Sequence, residues 1–318
     1  MRVHTLDLRF QGIPNAIAAF LVEGPSGRLL FETGPASTLP ALEAALAAHG
    51  LTPEALSAVF VSHIHLDHAG AAGHLAERGL PVHVHPVGAP HLADPARLLR
   101  SASRIYGDAL DRLWGQTRPV PVERLRAVAD GESVEVAGLT VIAIDTPGHA
   151  GHHHCWRIAD LAFTGDVGGV RLPGSNLVAL PAPPPEVDLE AWERSIDRLA
   201  AAGLRRVYPT HFGESDAVDW HLSALRDALH GAADLVREGL ESGLPREAIL
   251  ARYRAWNQAR ATAAGLGPDA IAAYEAANPL AMSVDGLLRY WRQQGVGAVD
   301  GPHASETRLG DPQRRAPG

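Results

Sequence analysis

The chain has 318 residues, 46% hydrophobic and 20% charged, with a formal net charge of −8; at ~100–200 residues per domain this is the composition of a folded protein of about two domains. All 28 basic residues are Arg and there is one Cys, which excludes lysine Schiff bases, the Walker A lysine, Ser-Lys pairs, intrachain disulfides, thiolate zinc cages and iron–sulfur clusters. The acidic balance argues against a nucleic-acid partner, and any metal site must use His and carboxylates.

In chain order, Val3–Phe10, Ile17–Glu23 and Arg28–Glu32 read as strands separated by Gly and Pro turns. Thr38–His49 is Ala-rich with Leu39, Leu42 and Leu46 at helical spacing, and Ala58–Ser62 reads as a buried strand. A helix near Ala69–Arg78 and a strand at Val82–His85 follow. This strand–helix–strand alternation predicts a layered α/β fold. Ala89–Trp114 is helical, within an insert spanning 89–118. Strands are expected at Glu132–Val136, Thr140–Asp145, His153–Ile158, Leu161–Thr164 and Arg205–Tyr208, with a helix at Leu189–Ala201. Pro173–Pro185 is a Pro-rich loop. From Ala217 to Gln294 the pattern is helical, broken at 243–245 and 265–268, and 296–318 reads as a flexible tail. Met1–Asp7 lacks the apolar core of a signal peptide, and no run approaches the ~20 apolar residues of a membrane span. No membrane partner is therefore expected, and the cytoplasm is the default compartment.

The chemistry concentrates in four segments. The strand Ala58–Ser62 runs into His63-Ile64-His65-Leu66-Asp67-His68, four metal-binding side chains within six residues. His63 and His65 alternate, so an extended strand end points both to one side. Three further segments each place a ligand just after a strand: His149 in Thr146-Pro147-Gly148-His149, Asp166 in Thr164-Gly165-Asp166, and His211 in Pro209-Thr210-His211. Loops at strand ends of layered α/β folds converge on a functional crevice. Together the segments supply seven ligands, a number that suits two metals.

The order His-x-His-x-Asp-His, Pro-Gly-His, Thr-Gly-Asp, Thr-His resembles the metallo-β-lactamase-fold hydrolase superfamily. The resemblance covers roughly residues 1–215, with a glyoxalase II-like set of ligands. It implies an αββα sandwich as the catalytic domain (1–215), followed by a C-terminal helical region (216–295). It also implies that His63, His65 and His149 hold one metal, that Asp67, His68 and His211 hold a second, and that Asp166 bridges them. Phe31-Glu32-Thr33-Gly34 matches the family's Asp-Thr-Gly turn with Glu in place of Asp, a position that supports the site from behind. The mechanism implied is hydrolysis by a metal-bridging hydroxide, with two divalent ions, zinc ahead of iron or manganese, and with Asp67 orienting the nucleophile. Within the superfamily, Thr146–Ala150 with His152 and His153, Gly165–Gly169 and Pro181–Trp192 resemble a group of generic bacterial cytoplasmic metallo-hydrolases. The expected reaction is cleavage of a small ester or thioester. A phosphodiesterase or nuclease and a mononuclear iron persulfide dioxygenase are the rival readings.

The helical insert is a candidate lid over a small-molecule substrate, with Tyr106, His91 and Trp114 as candidate contacts. His152, His153 and His154 extend a cluster that invites a third metal, but packing or support of other ligands is the favoured reading for them. Cys155, His83 and His85 read as buried or sheet-face residues. The C-terminal helices carry Trp220, Tyr253, Trp256, Tyr274, Tyr290 and Trp291, which need burial in the core, over the catalytic face or in a homodimer.

Overall fold

The structure, a computed structural model, describes residues 1–297; residues 298–318 of the expected tail lie outside the described residues. The first three strands form as β1 (Arg2–Asp7), β2 (Ala18–Gly24) and β3 (Gly27–Phe31), each antiparallel to the next. Helix α1 (Leu39–Ala48) returns the chain so that β4 (Ala58–Phe60) runs parallel to β3. Two short helices, α2 (Leu66–Ala69) and α3 (Ala72–Glu77), lead to β5 (Val82–Val84). The insert then folds as α4 (Ala89–Ala93), α5 (Ala96–Tyr106) and α6 (Leu110–Trp114), and β6 (Leu125–Ala127) closes a six-stranded sheet.

The second sheet has five strands in the order β11-β10-β9-β8-β7. These are β7 (Ser133–Val136), β8 (Leu139–Asp145), β9 (His154–Ile158), β10 (Leu161–Phe163) and, after α7 (Leu189–Ala201), β11 (Arg206–Tyr208). Four helices follow: α8 (Val218–Glu241), α9 (Arg246–Ala263), α10 (Pro268–Ala277) and α11 (Leu280–Gln293). No described helix is long and apolar enough to cross a membrane.

The sandwich follows from the period-2 alternation of the strands. On β9 and β10, Trp156, Ile158, Leu161 and Phe163 face the first sheet, where Phe31 stacks on Phe163 with ring centroids 3.9 Å apart. Cys155 and Ala162 face the other way, onto a second apolar layer built with Trp192, Leu225 and Leu287 from α7, α8 and α11. On the far side of the first sheet, α1 packs through Leu42 and Leu46. The order of layers is helix, sheet, sheet, helix, as the α/β sandwich expectation requires.

Four local details differ from the sequence reading. The helix expected near Ala69–Arg78 starts earlier and is broken in two, so the turn that carries Asp67 and His68 is itself helical. The insert is broken at Pro95 and at Gly107, whose φ is +51°. Strand β6 has no counterpart in the sequence reading, because three partly exposed residues carry no readable alternation. The C-terminal run has a third break at Asn278-Pro279, where Pro279 precedes α11.

One close approach ties the helix layer to the loop that carries His149. Gly148 has φ +138°, and a Cβ there would lie 2.4 Å from Trp192 Cα. Gly148→Ala is therefore expected to destabilise the fold by roughly 2–4 kcal/mol. The nearby Gly151→Ala, whose Cβ would meet nothing closer than 3.7 Å, is the control and should shift the urea midpoint little.

Candidate metal centre

The sandwich brings the ends of β4, β8, β10 and β11 to one edge. The chain leaves β4 extended through His63 and His65, and His149 arrives from the turn after β8. His65 Nδ1 lies 2.9 Å from both His63 Nε2 and His149 Nε2. His149 donates its other N–H, at Nδ1, to the Pro181 carbonyl at 2.7 Å, which puts the lone pair on Nε2 and aims it at this group.

A second group overlaps the first. His211 Nε2 lies 3.3 Å from Asp67 Oδ2 and 3.3 Å from Asp166 Oδ1, and His68 Nε2 lies 3.1 Å from the same Asp166 Oδ1. Asp166 Oδ2 lies 3.3 Å from His149 Nε2. One carboxylate thus faces both groups, an oxygen to each. His211 donates Nδ1–H to the Ala16 carbonyl at 2.8 Å, the same device that orients His149. All seven residues singled out from the sequence meet in these two groups.

The donor set fits divalent metal ions. Two neutral-capable imidazole clusters sharing a carboxylate are ligands for zinc, iron or manganese. His68 Nε2 and Asp166 Oδ1 are buried without a hydrogen-bond partner, although they lie 3.1 Å apart. Their approach lacks hydrogen-bond geometry, as expected of two atoms aimed at a common third point rather than at each other.

The protonation pattern is split. Burial, then the neighbouring imidazoles, push His63 well below the ordinary range, and burial with His149 beside it brings His65 down to about 4. These rings are neutral at pH 7. Burial also opposes charge on His68 and His211, but the carboxylates of Asp166 and Asp67 outweigh it and raise both. Burial likewise opposes charge on Asp67, yet His68 and His211 hold it down to about 2. The second group therefore keeps positive charge beside its carboxylates, the place a cation takes.

The residues behind the site are less legible in the sequence. Glu32, the residue that departs from the family pattern, sits at φ +63°. Its Oε1 lies 3.4 Å from His68 Nδ1 and accepts from the Thr210 hydroxyl, while Oε2 accepts from the Ser62 N–H. His153 donates Nδ1–H to Thr146 Oγ1 and accepts at Nε2 from the Asp166 N–H at 3.2 Å, so it holds the turn that presents Asp166. His152 lines the cleft with Glu186 3.5 Å from its Nε2. Only the Thr shortly before His149 and His211 (Thr146 and Thr210) could have flagged the supporting hydroxyls.

Above the two groups is a cleft of about 410 Å³. Tyr106, His91 and Trp114 line it, together with Phe10 and Gln11 near the N-terminus, the Pro181–Glu186 loop and Met282 of α11. The Tyr106 hydroxyl lies 3.6 Å from Met282 Sδ, across the cleft from the insert to the C-terminal helices. Burial, then the charge on Asp67, hold that hydroxyl above its ordinary range, so it remains an O–H donor. The Pro-rich loop is fastened from below: Ser283 and Asn278 donate to the Leu180 carbonyl, and Tyr274 to that of Leu177.

A sequence profile of the metallo-beta-lactamase superfamily matches residues 12–211, the stretch that holds all seven clustered residues. Among curated proteins, an atrochrysone carboxyl ACP thioesterase of Aspergillus fumigatus is 31% identical over 49% of this chain and 38% of its own length. A lactamase-like protein of Penicillium aethiopicum is 32% identical over 60% of this chain and 50% of its own length. The chain thus spans about half, or less, of these relatives. A solved metallo-beta-lactamase family protein of Thermus thermophilus superposes with a TM-score of 0.65 at 22% identity, covering 92% of this chain and 94% of that one. An archaeal metallo-beta-lactamase superfamily protein of Sulfolobus tokodaii gives 0.61 at 23% identity over 71% and 85%. These two likenesses speak for the fold, and with the profile match they place the chain in the metallo-beta-lactamase superfamily.

Proposed function

We propose that the protein is a dinuclear zinc hydrolase that cleaves an ester or thioester of an apolar acyl group. The observation that carries this reading is the position of the cleft. Its walls are mostly apolar, through Ile64, Leu98, Trp114, Pro183 and Met282, while Asp67, Asp166 and His211 lie in its floor. An apolar acyl chain fits such walls, and a reacting carbonyl fits such a floor. The thioesterase named among the relatives supports the choice of bond.

His63, His65 and His149 would hold one ion, Asp67, His68 and His211 the other, and Asp166 both. When bound, such ions supply Lewis acidity and an activated water. The protein's own share is orientation. The Pro181 and Ala16 carbonyls fix which nitrogen His149 and His211 present. Asp67, partly open to the cleft, accepts a hydrogen bond from an attacking water and directs its lone pair. Tyr106 lines the cleft, and its hydroxyl, which donates to Met282 Sδ, would turn to the substrate's carbonyl oxygen.

Assayed with matched thioester, ester, lactone and phosphodiester substrates, the zinc-loaded protein is expected to turn over apolar acyl thioesters or esters best. Selective phosphodiester turnover, or one iron per chain with persulfide oxidation, would replace the reading. Asp67→Asn should lower kcat by about 10²–10⁴-fold. Near wild-type turnover with metal content retained would remove Asp67 from the mechanism. Zinc binding must expel the protons that Asp166 and Asp67 hold on His68 and His211. Because those values are raised, affinity should be weakest at low pH and climb as pH rises through them. Calorimetry in two buffers of different ionisation enthalpy should then report proton release, and an affinity flat from about pH 6 to 8 would contradict the assignment.

A further inference from the structure

A third gathering of ligand atoms lies beside the cleft and takes no part in the proposed reaction. His85 Nε2, Asp145 Oδ1 and His154 Nδ1 all fall within 4.8 Å of one another. Asp145 Oδ1 is 3.2 Å from His85 Nε2 and 3.9 Å from His154 Nδ1. Asp145 and His154 are direct cross-strand partners on β8 and β9, so their side chains share a face. His85 follows β5 of the other sheet. The three residues therefore straddle the two sheets.

His154 is the informative member. It is fully buried, and its Nε2–H donates to the Val128 carbonyl at 2.9 Å. That bond puts the lone pair on Nδ1, and buried Nδ1 has no hydrogen-bond partner. An unpaired buried acceptor is costly and asks for an occupant. Burial also keeps this ring below its ordinary range, so the lone pair is free at neutral pH. A ring N–H on a backbone carbonyl with the other nitrogen aimed at a carboxylate is how His149 and His211 are presented in the main centre. Asp145 is partly open, with 34% of its side chain exposed, which provides an entry path and room for water ligands.

We propose that His85, Asp145 and His154 form a separate binding site for a zinc-type divalent ion, which clips the two sheets together at the side of the cleft. Two imidazoles and one carboxylate suit zinc, cobalt or nickel, with solvent completing the shell. His85 must change tautomer to take part. Without the ion its Nδ1 accepts from the Val87 N–H at 3.0 Å, so its proton sits on Nε2 toward Asp145. With the ion, Nε2 gives up that proton and Nδ1 carries one, with no net release. The Val87 N–H would then lose this acceptor.

The test counts ions. Chelator-stripped wild type and Asp145→Asn are titrated with zinc against a chromogenic chelator, and thermal midpoints are read with and without zinc. Among the described residues the Asp145 side chain pairs only with His85 and His154, and His85→Gln serves as a second variant should the first fold poorly. Wild type should bind one more equivalent than either variant, and zinc should raise its midpoint further than theirs. Because the readout is a difference, it tests this site whatever the main centre holds. Equal stoichiometry in all three proteins would mean that water fills the gap and would overturn the proposal. Loss of more than one equivalent in the variants would assign the ion to the main centre and would overturn it too.

Discussion

The burial of Asp166 is the constraint around which the site is arranged. Its side chain is 5% exposed, and an isolated carboxylate in that position would cost several kcal/mol. Its ion pairs among the described residues are with histidines rather than with Arg, the only lasting cation this chain possesses, and three histidines lie within 3.3 Å of one oxygen or the other. Histidine offers a choice of charge that Arg lacks: it can hold a proton beside the carboxylate, or release it and offer a lone pair to a metal. Only the second option lets the same atoms serve as a metal centre. The backbone carbonyls of Pro181 and Ala16 select the lone-pair direction in advance.

That selection reaches far along the chain. The Pro181 carbonyl is where it is because the Pro-rich loop is tied down on both sides of it. Leu180 receives Ser283 and Asn278 from the C-terminal helices, and the Ala182 N–H donates to the Ser283 hydroxyl at 3.2 Å. Gly286 lets α11 approach so closely that a Cβ there would lie 2.0 Å from the Ala182 carbonyl oxygen. The C-terminal helices thus do more than bury aromatic residues. They set the height of a loop whose one carbonyl orients His149, and they supply Met282 to the cleft opposite the insert.

The ligands are legible in the sequence because each sits in a short local signal. A buried strand ends and a His or Asp follows, directly in His63–His68 and after a Gly or Pro turn at His149, Asp166 and His211. Such a segment can be recognised without knowing what it packs against. The cleft is legible only on one side. Tyr106 and Trp114 stand out as aromatics in an insert, but Phe10, Pro183 and Met282 come from segments far apart in sequence, each with an ordinary reading as core or loop. Glu32 is readable as a departure from the family pattern. Its bonds to Ser62 and Thr210 depend on a backbone at φ +63° and on a partner 178 residues away, and no periodicity reports either.

His152, His153 and His154 show where pattern reading stops. Alternation along a strand would place the first and third together and the second apart. The strand begins only at His154, so the first two follow the turn instead. His152 goes to the cleft with Glu186, His153 passes behind the site to hold the Asp166 turn, and His154 points between the sheets toward Asp145 and His85. Three identical side chains in a row thus meet three environments: a pocket wall, a hydrogen-bond acceptor and donor fully satisfied at both nitrogens, and a buried lone pair left open. Their chemistry differs because each ring's partners differ, and those partners come from the Pro-rich loop, from the β10 turn and from the opposite sheet. Residue type put imidazole at this edge, but only the packing of distant segments decides what each imidazole does there.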